Sequence, residues 1–212
     1  MTYPILISFS LILLAYLLGS IPTGYILARM VKGIDIRDHG SGSTGATNVL
    51  RIVGKEAAIA VLLIDMLKGA LAVFLVKLSY NYLTLLPSQW QGSLVAICAL
   101  LAVIGHSKSI WLNFSGGKSA AISLGILLTM NPYVGLGTLL VFLTVLGVSK
   151  IVSLSSISAA IAVNILMWIF NPSIPYIGFA LIAAVYVIVR HRSNIERIIA
   201  GTEPRIGQPV NS

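Results

Sequence analysis

Residues 39–48 read His39-Gly40-Ser41-Gly42-Ser43-Thr44-Gly45-Ala46-Thr47-Asn48, and Arg51 follows. Glycines interleaved with small hydroxyls make poor core. They suit a loop whose backbone amides converge on an anion. Arg51 adds a planar fork that matches phosphate or carboxylate. A flexible connection has a similar composition, and no Gly-Lys-Ser/Thr closes the run as a Walker loop requires. A second constellation, Gly105-His106-Ser107 and then Phe114-Ser115-Gly116-Gly117-Lys118-Ser119, leads a diglycine and a lysine into an apolar stretch. Phosphates are captured at such helix N-termini, where the dipole adds positive charge. A surface loop with a snorkelling lysine has the same residues.

A third constellation runs Arg190-His191-Arg192-Ser193-Asn194-Ile195-Glu196-Arg197, with Gly201, Glu203, Arg205 and Gly207 beyond it. If it is helical, Arg190, Asn194 and Arg197 share a side. Binding of anionic lipid headgroups is the plainer reading. Asp65 and Lys68 fall inside an apolar stretch at a spacing that lets them pair, either as structure or to hold Lys68 towards a cavity. Ser149, Ser153, Ser155 and Ser156 cluster at the start of a later apolar segment, placed to cap it, to pack it or to touch a ligand. The cationic groups Arg51, Lys68, Lys118, His191 and Arg197, set beside apolar spans, point to an amphiphile with a phosphate head.

Conventional nucleophilic chemistry is not visible. The chain has no Gly-x-Ser-x-Gly elbow and no His/Cys grouping with metal-ligand spacing. None of its three histidines has an aspartate five residues on, and Cys98 lies in an apolar stretch. Positioning and electrostatic stabilisation of developing charge remain. No metal or cofactor is expected.

The elements that must position these residues are membrane helices. Hydrophobic residues make up 57% of the 212 positions and charged ones only 9%, with a mean hydropathy of +0.96. A soluble domain carries roughly 25% charge. Seven apolar segments are expected: Tyr3–Met30, Ala57–Tyr80, Gly92–Gly105, Ala120–Met130, Tyr133–Gly147, Leu154–Phe170 and Tyr176–Val189. Ala120–Met130 covers only about 17 Å, too little to cross a hydrocarbon core of about 30 Å. It therefore starts at a recess or is extended by its flanks.

Basic residues occupy every second connection. Lys32–Lys55, His106–Ser119, Val148–Ser153 and the tail from Arg190 carry them, whereas Asn81–Gln91, Asn131-Pro132 and Asn171–Pro175 carry none. Basic connections collect in the cytoplasm. This places the N-terminus outside, the C-terminus inside and all three polar constellations on the cytoplasmic face. The net charge of +8 thus belongs to membrane topology and not to nucleic-acid binding. Lys77, near an outer end, is expected to snorkel. The reading is an all-α integral membrane protein, residues 1–212 forming one polytopic domain. A small transporter or channel for an anionic phosphorylated solute, or a basic lipid-binding scaffold, are the competing classes. The outer connections offer a transported anion no polar loop.

Five motifs then occur in order. They are Gly40-Ser41-Gly42-Ser43-Thr44-Gly45-Ala46-Thr47-Asn48-Val49-Leu50-Arg51; Asp65-x-x-Lys68-Gly69; Gly105-His106 with Phe114-x-Gly116-Gly117-Lys118; Val152-Ser153-Leu154-Ser155-Ser156; and Arg190-His191-x-x-Asn194-Ile195-x-Arg197. In this order the sequence resembles the bacterial acyl-phosphate:glycerol-3-phosphate acyltransferases, the PlsY family. The resemblance runs from Gly19 to Gly207.

It implies a multi-pass enzyme of the bacterial inner membrane with a cytoplasmic active site. That enzyme would pass a fatty acyl group from acyl phosphate to the sn-1 hydroxyl of glycerol 3-phosphate. It would release lysophosphatidate and phosphate, the first step of phospholipid synthesis, without a protein general base. Matched by position, Ser41, Arg51, His191 and Asn194 are the expected catalytic residues. Gly116, Gly117 and Lys118 match the glycerol 3-phosphate loop, and Glu203 a structural position. Gly42, Thr47, Asn48, Lys68, His106, Ser155 and Arg197 complete the expected substrate-binding set. The chain departs from the family pattern at Ser43, where Asn is usual, at Ser119, where Gly is usual, and at Ser107-Lys108-Ser109, which lacks Phe-Pro. Ser119 is expected either to crowd the phosphate with its Cβ or to offer it a hydroxyl.

Overall fold

The computed structural model describes residues 2–82 and 86–207, so part of the Asn81–Gln91 connection and the last residues of the tail lie outside the described residues. The described residues are helical, without strands; their only bridge pairs Ser109 with Ser115. The first apolar segment is two helices, α1 (Thr2–Ser20) and α2 (Thr23–Lys32), interrupted at Ile21-Pro22. Proline lacks the N–H that continues a helix. At the break the carbonyl of Ile21 accepts from Thr23 N at 3.0 Å and from Lys68 of α4 (Lys55–Tyr82) at 2.8 Å. Non-helical backbone at membrane depth needs such a donor.

Five stretches are long and apolar enough to cross a membrane: Tyr3–Lys32, Lys55–Tyr82, Ser88–Ser107, Pro132–Ser149 and Val152–Phe170. They contain α1–α2, α4, α5 (Gln91–Ser107), α7 (Pro132–Ser149) and α8 (Val152–Phe170). A sixth arises if α9 (Ile174–Arg190) and α10 (Arg192–Ile199), bent by 60°, count as one span. The short segment is α6, Ala120–Met130. The chain is thus a multi-pass membrane protein, and large apolar side chains such as Phe9, Leu67 and Trp168 stand exposed on its flanks.

Its eleven residues are too few for a span, and α6 is instead packed tightly inside the bundle. A Cβ on Gly125 would lie 1.9 Å from the Met66 carbonyl oxygen, and one on Gly69 2.4 Å from that of Ile122, so α4 and α6 meet backbone to backbone. Small residues permit such contacts where lipid supplies no hydrophobic force between helices. Lys77 does not snorkel. Its ammonium donates to Thr129 O at 2.6 Å and Met130 O at 3.0 Å, capping the C-terminal carbonyls of α6. Asn131 then caps α7 by accepting from the N–H groups of Tyr133 and Val134, and Pro132 stands in its first turn. The N-termini of α3 (Ala46–Ile52), α6 and α8 and the C-terminus of α9 surround one cavity at one end of the bundle.

Candidate active site

The cavity measures about 380 Å³. Its polar wall includes Ser41, Thr47, Arg51, Lys118, His191 and Asn194, and its apolar wall includes Leu62, Met66, Leu139, Phe142 and Leu143. The first loop is held by Asn48. Its Oδ1 accepts from Ser41 N at 3.0 Å, and its Nδ2 donates to Ser43 O and His39 O at 2.9 and 3.0 Å. Asn48 lines the cavity, but its amide is committed to shaping the loop that presents Ser41 and Thr47.

The second loop is built around His106. Gly117 N donates to His106 O at 3.1 Å, and a Cβ on Gly117 would lie 2.0 Å from His106 Nε2. Gly116 and Gly117 are therefore needed for close approach to His106, and the Gly117 amide is not turned towards an anion. The departure at Ser119 resolves similarly. Its φ of +67° is the left-handed conformation that favours glycine. Its buried hydroxyl donates to Val103 O at 2.9 Å, and Ser119 is not on the cavity wall. The hydrogen bond, worth about 1 kcal/mol, offsets a backbone cost of similar size. Ser119→Gly is expected to change thermal stability by no more than a few degrees and to leave turnover within about twofold, as melting and initial-rate assays would read.

The third constellation is not one helix. The chain turns at His191, whose N–H caps α9 through Val187 O and Ile188 O and whose carbonyl accepts from Asn194 N and Ile195 N to start α10. His191 Nδ1 lies 2.7 Å from Val187 O. A nitrogen facing a carbonyl carries hydrogen, so Nε2 is the acceptor of the neutral ring. The bend brings Asn194 against Lys118, which donates to Asn194 Oδ1. Asn194 Nδ2 donates in turn to Glu203 Oε1 at 2.6 Å. Ser153 also donates to that oxygen, at 2.8 Å, and Arg197 Nε donates to Oε2 at 2.7 Å. Burial pushes the Glu203 carboxyl up, but these hydrogen bonds and the Arg197 charge outweigh it and hold it below its usual range. Burial, reinforced by the nearby Arg197, pushes Lys118 down to about 8.

Of the expected residues, Ser41, Thr47, Asn48, Arg51, His106, Lys118, His191 and Asn194 line the cavity. Gly42, Gly116, Gly117, Lys68, Ser155 and Arg197 are not on its wall. Lys68 is spent on Asp65 at 2.8 Å and on the Ile21 carbonyl, and Arg197 on Glu203. Ser155 donates back to Ile151 O at 2.8 Å, while Ser153, two residues before it, and Ser156, the next residue, line the cavity. Sequence reasoning named Arg190 in the third constellation without giving it a role, and it missed Thr138. Arg190 Nη2 donates to the Gly117 carbonyl at 3.3 Å and ties the turn to the glycine loop. Thr138 is a wall residue whose only sequence signal is a hydroxyl in an apolar span.

Together these features define a polytopic membrane protein with a cation-lined cavity that continues into an apolar wall, a shape for an anionic head joined to a hydrocarbon. The family profile described as glycerol-3-phosphate acyltransferase matches residues 9–201. The glycerol-3-phosphate acyltransferase of Rippkaea orientalis is 60% identical over 206 residues, covering 96% of this chain and 95% of the relative. That of Synechocystis sp. is 55% identical over 214 residues, covering 100% and 96%. Among solved structures, the glycerol 3-phosphate form of PlsY (YgiH), an integral membrane glycerol 3-phosphate acyltransferase, superposes with a TM-score of 0.85 at 33% identity, covering 94% of this chain and 96% of that one. Its lysophosphatidic acid form gives 0.82 at 32% identity, covering 94% and 95%. The chain belongs to the glycerol-3-phosphate acyltransferase family.

Proposed function

We propose that this protein transfers a fatty acyl group from acyl phosphate to the sn-1 hydroxyl of glycerol 3-phosphate, forming lysophosphatidate and phosphate. The carrying observation is the cavity itself: Arg51, Lys118 and His191 meet at the polar end of a space whose other wall is aliphatic. Family membership supplies the acceptor and the product. The acyl phosphate donor is what the resemblance to the acyl-phosphate-dependent family implies, and two cations beside the hydrocarbon wall fit it.

Arg51 and Lys118 hold the two phosphates, and Asn194 aims the lysine. The acceptor oxygen attacks the acyl carbonyl, the new C–O bond forms, and the bond from the carbonyl carbon to the phosphate oxygen breaks. The phosphate leaves and takes up the hydroxyl proton. Glu203 and Asp65 are already held by donors, which leaves them to organise the site and not to act as the base. His191 orients the attacking hydroxyl through Nε2. Ser41 and Thr47 offer hydroxyls to phosphate oxygens.

The whole chain acts as one polytopic domain of the bacterial inner membrane, in contact with the lipid bilayer. Seven segments cross or enter the membrane, with α6 as the short one. The N-terminus is outside and the site opens to the cytoplasm, as the alternation of basic and uncharged connections favours.

Purified protein in liposomes, given palmitoyl phosphate with and without glycerol 3-phosphate, is expected to release phosphate only with the acceptor and to form lysophosphatidate. Palmitoyl-CoA serves as the control donor. Folded protein that gives no acceptor-dependent release overturns the reading.

The pH dependence has a definite sign. Below about 8 the free Lys118 is charged and holds a phosphate dianion, and above it the ammonium is lost. Phosphate monoesters become dianions above about 6. kcat/KM for glycerol 3-phosphate is expected to be flat between these values and to fall above pH 8, since it reports the free enzyme. Lys118→Arg removes the alkaline limb; an unchanged limb in that variant would assign it elsewhere.

A further inference from the structure

Charges buried within an apolar helix are costly and need a reason. Asp65 and Lys68 are both buried on α4, where they pair at 2.8 Å. Apolar residues of similar volume often replace such a pair with no loss of stability, so pairing alone does not account for a carboxylate here. Its further neighbour is His106, buried near the end of α5, whose Nδ1 lies 3.6 Å from Asp65 Oδ1. Lys68 holds that oxygen by charge. Among the described residues, however, neither Asp65 Oδ1 nor His106 Nδ1 has a hydrogen-bond partner. Buried polar atoms are seldom left unmatched, and these two are neighbours.

The other side of His106 carries the glycine loop. A Cβ on Gly116 would lie 2.3 Å from His106 O, and one on Gly117 2.0 Å from Nε2. Gly116 thus lies against the backbone of His106, and Gly117 against its ring. Lys118 is next in the chain and stands on the cavity wall, while Arg190 grips the Gly117 carbonyl from the end of α9. A ring that turned about its own bonds would push on Gly117 and carry Lys118 with it. The partner of Nδ1 decides whether the ring can turn.

We propose that Asp65 is a positioning residue: its carboxylate takes the hydrogen of His106 Nδ1, fixes the ring, and through the ring sets where Gly117 places Lys118. The proposal rests on the acyl transfer read above and on Lys118 as a cation for the acceptor phosphate. A nitrogen that faces a carboxylate carries hydrogen, so Nε2 is the bare nitrogen against Gly117. The 3.6 Å contact is longer than a hydrogen bond. Hydrogen bonds in active sites are often long in a free enzyme and tighten in its complexes. Lys68 has the supporting part. It anchors the carboxylate and ties it to the Ile21 carbonyl at the α1–α2 break.

Removing one charge alone leaves the other buried and unpaired, so the test removes both. Asp65→Asn with Lys68→Met and Asp65→Leu with Lys68→Met are equally neutral, and both lose the Lys68 contact with Ile21. They differ in that asparagine still offers an oxygen to His106 Nδ1 and leucine does not. In liposomes with saturating palmitoyl phosphate, KM for glycerol 3-phosphate is expected to be about tenfold higher in the leucine pair than in the asparagine pair, the worth of one well-made hydrogen bond. The kcat values of the two are expected to agree within about threefold. A purely structural ion pair predicts the same KM in both, and equal KM values in variants shown by thermal unfolding to be folded overturn the proposal. Nitrogen-15 NMR gives a second readout that needs no variant of Asp65. The chain has three histidines, and substituting the other two assigns the His106 ring. Hydrogen on Nδ1 is expected in the unaltered protein, and hydrogen on Nε2 alone overturns the proposal whether or not the leucine pair folds. Unaltered protein with hydrogen on Nδ1 but no acceptor-dependent acyl transfer overturns the transfer reading and leaves the pairing standing.

Discussion

Lys118→Met is expected to lower kcat/KM for glycerol 3-phosphate by about a hundred- to a thousandfold, the range seen when one preorganised donor to developing negative charge is removed. Lys118 is half-buried on the cavity wall, so its charge is less screened than that of a surface lysine. It is also the cation aimed by a built chain of partners, from Glu203 through Asn194. The loss is predicted to be kinetic and not structural. Among the described residues Lys118 makes no ion pair, and Asn194 Nδ2 keeps Glu203 when the ammonium is gone. Lys118→Arg keeps the charge but replaces a compact ammonium with a planar fork, and about tenfold is expected to be lost. Steady-state kinetics beside thermal melting read both effects. A Lys118→Met variant within threefold of the unaltered protein would sink the assigned role.

Glu203→Ala is expected to be the largest combined loss of stability and activity. The Glu203 side chain is 2% exposed and gathers Ser153 of α8, Asn194 and Arg197 of α10 around one carboxylate. Removing it leaves a buried hydroxyl and a buried amide unpaired and a guanidinium without its partner. Breaking such a buried pair costs 3–5 kcal/mol in general. Arg197, whose side chain is 35% exposed, is partly screened by solvent, so about 3 kcal/mol is expected here. In a chain of this length that lowers the melting temperature by on the order of 10 °C. Turnover falls as well, because Asn194 is no longer held against Lys118. Glu203→Gln separates the two effects. Its amide oxygen still accepts from Asn194 and Ser153, so stability is largely kept, while the lost charge weakens the hold on Arg197. A Glu203→Ala variant that melts normally and turns over normally would refute the positioning role.

The chemical class of the site was legible in residue types. Cations, glycines and hydroxyls cannot be buried in lipid without partners, so in a chain of 57% hydrophobic residues their clustering in a few connections marks a site. Eight of the expected residues share the cavity wall. What was not legible was which atoms were still free. Asn48, Gly117, Lys68, Arg197 and Ser119 all belong to the polar constellations, and each has its polar group committed to a neighbouring backbone or side chain. Those partners come from remote segments: Lys68 reaches Ile21 and Ser119 reaches Val103. One-dimensional spacing carries no record of such pairings.

The sequence by itself determined that the protein is helical and embedded in membrane, because apolar length and charge scarcity admit no other solvent. It also determined that the cationic and glycine-rich residues gather at one end, because their connections alternate with plain ones. The tertiary structure alone decided how they are used. The 60° bend at His191 turns Asn194 onto Lys118, and the tail returns Glu203 to lock both α8 and α10. It alone placed Lys77 on the end of α6, and it alone left space between α6 and α9 where alanines face one another. Bends, caps and voids arise from how helices pack against one another, and packing depends on the shapes of residues far apart in the chain.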